Sequence, residues 1–149
     1  MNKPLICLLF FGFAIPSYAS DQKLEDYISG FNYEARKEMK IDSKALIRLL
    51  KEGNAELIDI RFPEEYLAWH VNYSKNIPLN ELPDRLAEID KSKVIVTACP
   101  HKDRASIAMV YLRTKGIHAK YLTDGLIGLA ENLRGDNAKE LVDARKALK

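Results

Sequence analysis

A β-branched run after Lys93, Val94-Ile95-Val96-Thr97-Ala98, apolar but for Thr97, delivers Cys99 to its C-terminal end, and Pro100-His101-Lys102-Asp103-Arg104 follows before a helical pattern sets in. A thiol at the carboxyl edge of a buried strand meets successive backbone N–H groups and a helix N-terminus, both of which favour negative charge. That is the setting of a nucleophilic thiolate. Pro100 disfavours helical backbone at Cys99 and holds it extended. Proline has no N–H, so donors for the sulfur are expected from His101, Lys102, Asp103 and Arg104. These amides and the positive helix end predict a thiol pKa below the ordinary value of about 8.5. Lys102, Arg104 and His101 make the rim cationic and suit it to a small anionic substrate. Asp103 opposes that charge unless it turns away to cap the helix. Arg104 also has a structural reading, as a first-turn helix residue bridging a carboxylate.

The elements that must place Cys99 alternate along the chain. Residues 56–61 and 76–79 read as short strands, the run ending at Cys99 as a third, and 118–122 as a fourth. Ser43 is expected to cap a helix running through Leu50 and closed by Gly53, and Pro63 to start a helical turn through Tyr66. Residues 82–89 have the spacing of an amphipathic helix. Ala105, Ala108, Met109 and Leu112 fall on one helical face, with Lys115 and Gly116 as stop signals. Residues 125–133 and 138–148 are helical in pattern. Strands alternating with helices predict an α/β fold with a mostly parallel central sheet and helices on both faces.

Residues 1–19 carry one lysine, Lys3, then an apolar stretch over 5–15, then Pro16-Ser17-Tyr18-Ala19 with small residues suited to cleavage after Ala19. This is the pattern of a secretory signal peptide, too short to span a bilayer. It predicts a periplasmic or secreted protein with no stable membrane anchor after cleavage. Cys7 lies inside the apolar stretch, far from the cut, which argues against a lipoprotein. Cleavage leaves 130 of the 149 residues, the size of one domain. Residues 20–40 form a polar N-terminal extension, helical or partly ordered and interrupted by Gly30, and 41–149 the domain with its C-terminal helix. The formal charge of +2 falls to +1 without Lys3, which points to neither nucleic acid nor a membrane surface as partner. Cys99 is then the lone cysteine, so an oxidising compartment cannot mean an internal disulfide. It is either a reactive thiol or a buried cysteine acting as a small hydrophobe.

Asp59-Ile60-Arg61, Glu65-Tyr66, His70-Val71 and Asn76-Ile77-Pro78, followed by Cys99 with four residues between it and Arg104, resemble a single-domain rhodanese, a sulfurtransferase family. The likeness covers roughly residues 41–133. It implies a rhodanese-like fold, no cofactor, and transfer of a sulfane sulfur through a Cys99 persulfide. The donor would be a small anion such as thiosulfate, and the acceptor cyanide, a thiol or a protein thiol. It also implies that Cys99 to Arg104 is the active-site loop, with His101, Lys102, Asp103 and Arg104 as substrate-binding residues. Asp59, Arg61 and Glu65 are expected to form an ion-pair and hydrogen-bond set beside the loop. His70 is expected to pack and hydrogen-bond.

Four positions depart from that family's pattern. Trp69 replaces a glycine before the histidine, Lys102 a glycine in the loop, Asp124 the first of two glycines before the helix, and Leu129 a tryptophan. A lost glycine forbids a cheap positive φ, so the loop and the turn at Trp69 are expected to be shaped differently. Three other readings stand beside the sulfurtransferase. A phosphatase or arsenate reductase would need five residues between cysteine and arginine, a larger cradle. A persulfide carrier or protein-binding module would turn over small molecules little. A metal site lacks any ligand spacing among Cys99, His70, His101 and His118.

Overall fold

The computed structural model describes residues 19–148, with side chains from Leu24 onward. The expected leader lies, but for Ala19, outside the described residues. Five strands, β1 (Lys40–Ile41), β2 (Ala55–Asp59), β3 (Ser74–Asn76), β4 (Val94–Ala98) and β5 (Ala119–Leu122), form a sheet in the order β1-β5-β4-β2-β3. Every pairing is parallel. The helices are α1 (Ala19–Ser29), α2 (Tyr33–Glu38), α3 (Ser43–Lys51), α4 (Pro63–Ala68), α5 (Asp103–Thr114), α6 (Gly125–Asn132) and α7 (Asp136–Ala147). The α/β class with a parallel sheet read from the sequence is the class observed.

Strand pleating divides the interior in two. Val96 and Ala98 of β4 join Leu57, Leu122, and the apolar faces of α3, α6 and α7. Ile95 and Cys99 point the other way, into a core with Ile58, Ala119 and α5. The α5 face is the one that periodicity identified: Ala105, Ala108, Met109 and Leu112 are all buried. Each large apolar side chain among them contributes about 1.5–3 kcal/mol by leaving water. Cys99 therefore rests on the most covered strand of the sheet, between β2 and β5.

Local departures from the sequence reading have identifiable causes. Asp42, not Ser43, caps α3, its Oδ1 accepting from Ala45 N at 2.8 Å. Ser43 is the first helical residue, and its amide donates to Asp124 Oδ1 at 3.1 Å. Residues 82–89 are not an α-helix. Turns occupy most of the segment, closed by three-residue bonds such as Asp84 N to Glu81 O at 3.1 Å, with a 3₁₀ turn over Leu86–Glu88. Pro83 supplies no N–H and disfavours helical backbone at Leu82. β3 lies two residues ahead of the strand expected at 76–79. Backbone bonds continue past it, Ile77 N to Asp59 O at 3.1 Å and Leu79 N to Ile60 O at 3.0 Å, but Pro78 between them cannot donate. Lys40 is already in the sheet, paired in register with Tyr121. The segment before it is held by Glu38 O, which accepts from Arg113 Nη2 and Lys120 Nζ, each at 2.7 Å.

Candidate active site

β4 ends at Ala98, so Cys99 is the first residue past the strand rather than its last. Its side chain is buried. Its carbonyl accepts from Leu126 N at 2.8 Å, which ties the start of α6 to the start of the loop. Gly125 makes that approach possible. It has φ +64°, and a Cβ there would overlap the carbonyl oxygens of Pro100 and His101. The glycine supplies both a left-handed backbone and the missing side chain.

The sulfur sits between opposing influences. Burial pushes the Cys99 thiol above its ordinary pKa, and the negative Asp103 adds to that; the backbone amides of Ala105, His101 and Arg104 pull the other way. The net direction is upward, contrary to the depression expected from the sequence. Two facts explain the difference. The strand end is more enclosed than loop composition suggested, and Asp103 does not turn away: Cys99 Sγ donates toward Asp103 Oδ1 at 3.7 Å. Lys102 occupies the N-cap of α5 without a side-chain cap bond, leaving Asp103 as the first helical residue. Ala105, whose amide reaches the sulfur, was hidden in the sequence because a backbone donor carries no residue-type signal.

The residues expected to form one polar set beside the loop separate into two. Arg61 and Asp59 make a buried pair, with Nη2–Oδ2 at 2.6 Å and Nε–Oδ1 at 2.9 Å. Arg61 Nη2 also donates to Trp69 O at 2.8 Å, and the guanidinium lies 4.4 Å from the Trp69 ring centroid. Asp59 is in register with Ala98, directly before Cys99. Glu65 instead takes Arg104 in a fork, Nη1–Oε2 at 2.7 Å and Nη2–Oε1 at 2.9 Å. The hydrogen bonds from Arg104 hold the Glu65 carboxyl down to about 2. Tyr66 OH donates to Ser74 O at 2.9 Å and fixes α4 against β3, which presents Glu65 to Arg104. His70 stacks on the Tyr66 ring at 4.1 Å, with Nδ1 3.1 Å from Tyr66 O. His101 and Lys102 are exposed at the rim, and Lys102 has no ion-pair partner among the described residues.

Sheet order, the cysteine loop and the glycine-backed turn coincide with a match of the rhodanese-like domain to residues 42–132. The chain belongs to the rhodanese-like family. The HTH-type transcriptional regulator Rv0324 of Mycobacterium tuberculosis is 33% identical over 118 residues, 77% of this chain and 52% of that protein. The chain thus spans about half the length of that relative. Thiosulfate sulfurtransferase GlpE of Pseudomonas aeruginosa is 29% identical over 79 residues, 53% of this chain and 72% of GlpE. The solution structure of the rhodanese-like domain of Anabaena sp. Alr3790 superposes with a TM-score of 0.57 at 26% identity, covering 63% of this chain and 74% of that one.

The departures from the rhodanese-like pattern are absorbed without a left-handed residue at either lost glycine. Trp69 is extended, with φ −165° and ψ 148°, and Lys102, with φ −151° and ψ −18°, is not extended but keeps a negative φ. Asp124 uses its carboxylate to take the Ser43 amide, joining α3 to the turn before α6. Leu129 is buried in the core beneath α6.

Proposed function

We propose that this rhodanese-like protein is a sulfurtransferase that carries a sulfane sulfur as a persulfide on Cys99. The observation that carries this reading is the sulfur's position: past the end of β4, enclosed, with the amides of Ala105, His101 and Arg104 directed to it. Those donors suit the terminal anionic sulfur of a persulfide. Asp103 Oδ1 accepts the thiol's hydrogen bond, and the thiol gives its proton to solvent as the thiolate forms. The thiolate then attacks the sulfane sulfur of a thiosulfate-like anion. A Cys99 Sγ–S bond forms, the donor's S–S bond breaks, and its electron pair leaves with sulfite. Cyanide or a thiol attacks the outer sulfur, the Sγ–S bond breaks, and the pair returns to Cys99.

Lys102, exposed and without an ion-pair partner among the described residues, supplies positive charge for capturing the donor. Arg104 holds the loop through Glu65 rather than reaching for a phosphate, which with the four-residue spacing favours sulfur over phosphoryl transfer. The likeness to a thiosulfate sulfurtransferase supports thiosulfate as the donor class. A protein thiol as acceptor is the second reading, favoured by Phe62 at the N-cap of α4 and Leu67 within it, 53% and 79% exposed next to Glu65. Export belongs to the proposal, supported by the leader pattern of residues 1–19.

Thiocyanate formation from thiosulfate and cyanide is the test. Wild type turns over and Cys99→Ser does not, since a serine hydroxyl is a far weaker nucleophile and cannot carry a persulfide. Turnover retained in the serine variant contradicts the assignment. Single loading without turnover selects the carrier reading.

A further inference from the structure

Away from Cys99, a cavity of about 260 Å³ opens between the 69–73 segment and the helices at the C-terminal end of the chain. Trp69, Val71 and Tyr73 line one side, and Leu133, Leu141 and Val142 the other. It lies just below the roughly 300 Å³ at which drug-sized ligand pockets begin, so its occupant is small. Ala138, Leu141 and Val142 of α7 line the cavity, and Arg145, one helical turn further along the same face, lines a second recess that shares Tyr73 with it.

Tyr73 connects the two regions. It lines the cavity and also an adjoining basic recess that holds Arg145, Lys75 and Lys93. It has φ +70°, the left-handed region that a tyrosine rarely adopts, and the Arg145 guanidinium lies 5.6 Å from its ring centroid. Lys75 and Lys93 are paired with Glu56 at 2.6 Å and Asp90 at 3.0 Å. Arg145 has no carboxylate partner among the described residues. Its Nη1 reaches Leu50 O over 3.5 Å, and its Nε is buried with no hydrogen-bond partner. A buried donor left open is uncommon and calls for a partner.

The geometry points to a binding site for a small amphipathic carboxylate, its aliphatic chain in the cavity beside Trp69 and its carboxylate on Arg145. The apolar wall selects the chain and the uncompensated guanidinium selects the charge. Nothing in this site requires the sulfur chemistry, so each can fail without the other.

Trp69 is the single tryptophan of the chain and part of the cavity wall, so its fluorescence reports occupancy. Decanoate, titrated below the concentration at which it self-associates, should shift the emission saturably. Decanol, with the same chain and no charge, should bind more weakly by at least about tenfold, the loss of one charge-assisted contact. Arg145→Gln should lower decanoate affinity by a similar factor and leave decanol unchanged. Ala138→Phe, which fills the cavity, should abolish the response to both while circular dichroism stays that of wild type. If that variant fails to fold, the Arg145→Gln comparison decides alone. Equal binding of decanoate and decanol, equal binding to wild type and Arg145→Gln, or a shift that never saturates would each overturn the proposal.

Discussion

Arg104 turns both terminal guanidinium nitrogens onto Glu65, 2.7 and 2.9 Å from its two carboxylate oxygens, across 39 residues of sequence. The pair joins the short α4 to the first turn of α5, and so braces the loop that carries Cys99. Both side chains are about one-third exposed, so the pair's value lies in orientation more than in net stability. Arg104, which the resemblance to rhodaneses places among the substrate-binding residues, here bridges a carboxylate, the structural reading its place in the first helical turn also allows.

The brace should show itself in acid. Glu65 titrates at about 2 in the folded protein, below its ordinary value of 4.5. Its folded pKa is depressed, so its contribution is complete above about pH 4.5 and disappears as pH falls toward 2. The difference in thermal midpoint between wild type and Glu65→Gln should be largest near neutral pH and close across that window. A difference that does not change between neutrality and pH 2 contradicts the pairing.

Gly125 and Gly116 offer a controlled comparison. Both have positive φ, +64° and +73°, but a Cβ at Gly116 meets nothing within 4 Å, whereas one at Gly125 overlaps the Pro100 and His101 carbonyls. Gly116→Ala should cost about 1–2 kcal/mol, the left-handed penalty alone. Gly125→Ala should cost more, and should also lose sulfur transfer by displacing the loop. Denaturant unfolding gives the two costs, and equal values would remove Gly125 from the site.

Asp103 keeps a negative charge against the sulfur. Alkylation of Cys99 by iodoacetamide should therefore rise with pH through an apparent pKa above that of a free thiol, because burial and Asp103 both favour the neutral form. Asp103→Asn removes the charge and should move the profile to lower pH, making alkylation several-fold faster near neutrality. A profile that stays in place after the substitution means that Asp103 does not face the thiol.

Much of this was legible in residue patterns, for reasons of local geometry. The run from Val94 to Ala98 is apolar on both faces because β4 is covered on both, and the α5 face reads at helical spacing because it packs on the sheet. Gly125 was read only as the first residue of a helical pattern, and its need for a positive φ and a missing Cβ comes from the Pro100 and His101 carbonyls, a tertiary contact. Ion pairing beside the loop was legible, but which carboxylate takes which arginine was not. Asp59, Arg61 and Glu65 are close in sequence, and only the placement of α4 by Tyr66 on Ser74 sends Glu65 to Arg104 and leaves Asp59 to Arg61. The direction of the Cys99 shift was equally hidden. It depends on how fully the strand end is enclosed and on which way Asp103 points, and both are tertiary facts. Over 82–89 the apolar spacing was real, since Leu82 and Ile89 are buried, but Pro83 prevents the helix that spacing suggests.

The most direct measurement is the intact mass of the protein after incubation with thiosulfate and removal of excess donor. Wild type should gain the mass of one sulfur atom, map it to Cys99 on digestion, and lose it on adding cyanide, while Cys99→Ser stays unchanged. A wild-type protein that gains no sulfur, or a serine variant that gains it equally, would contradict a persulfide on Cys99.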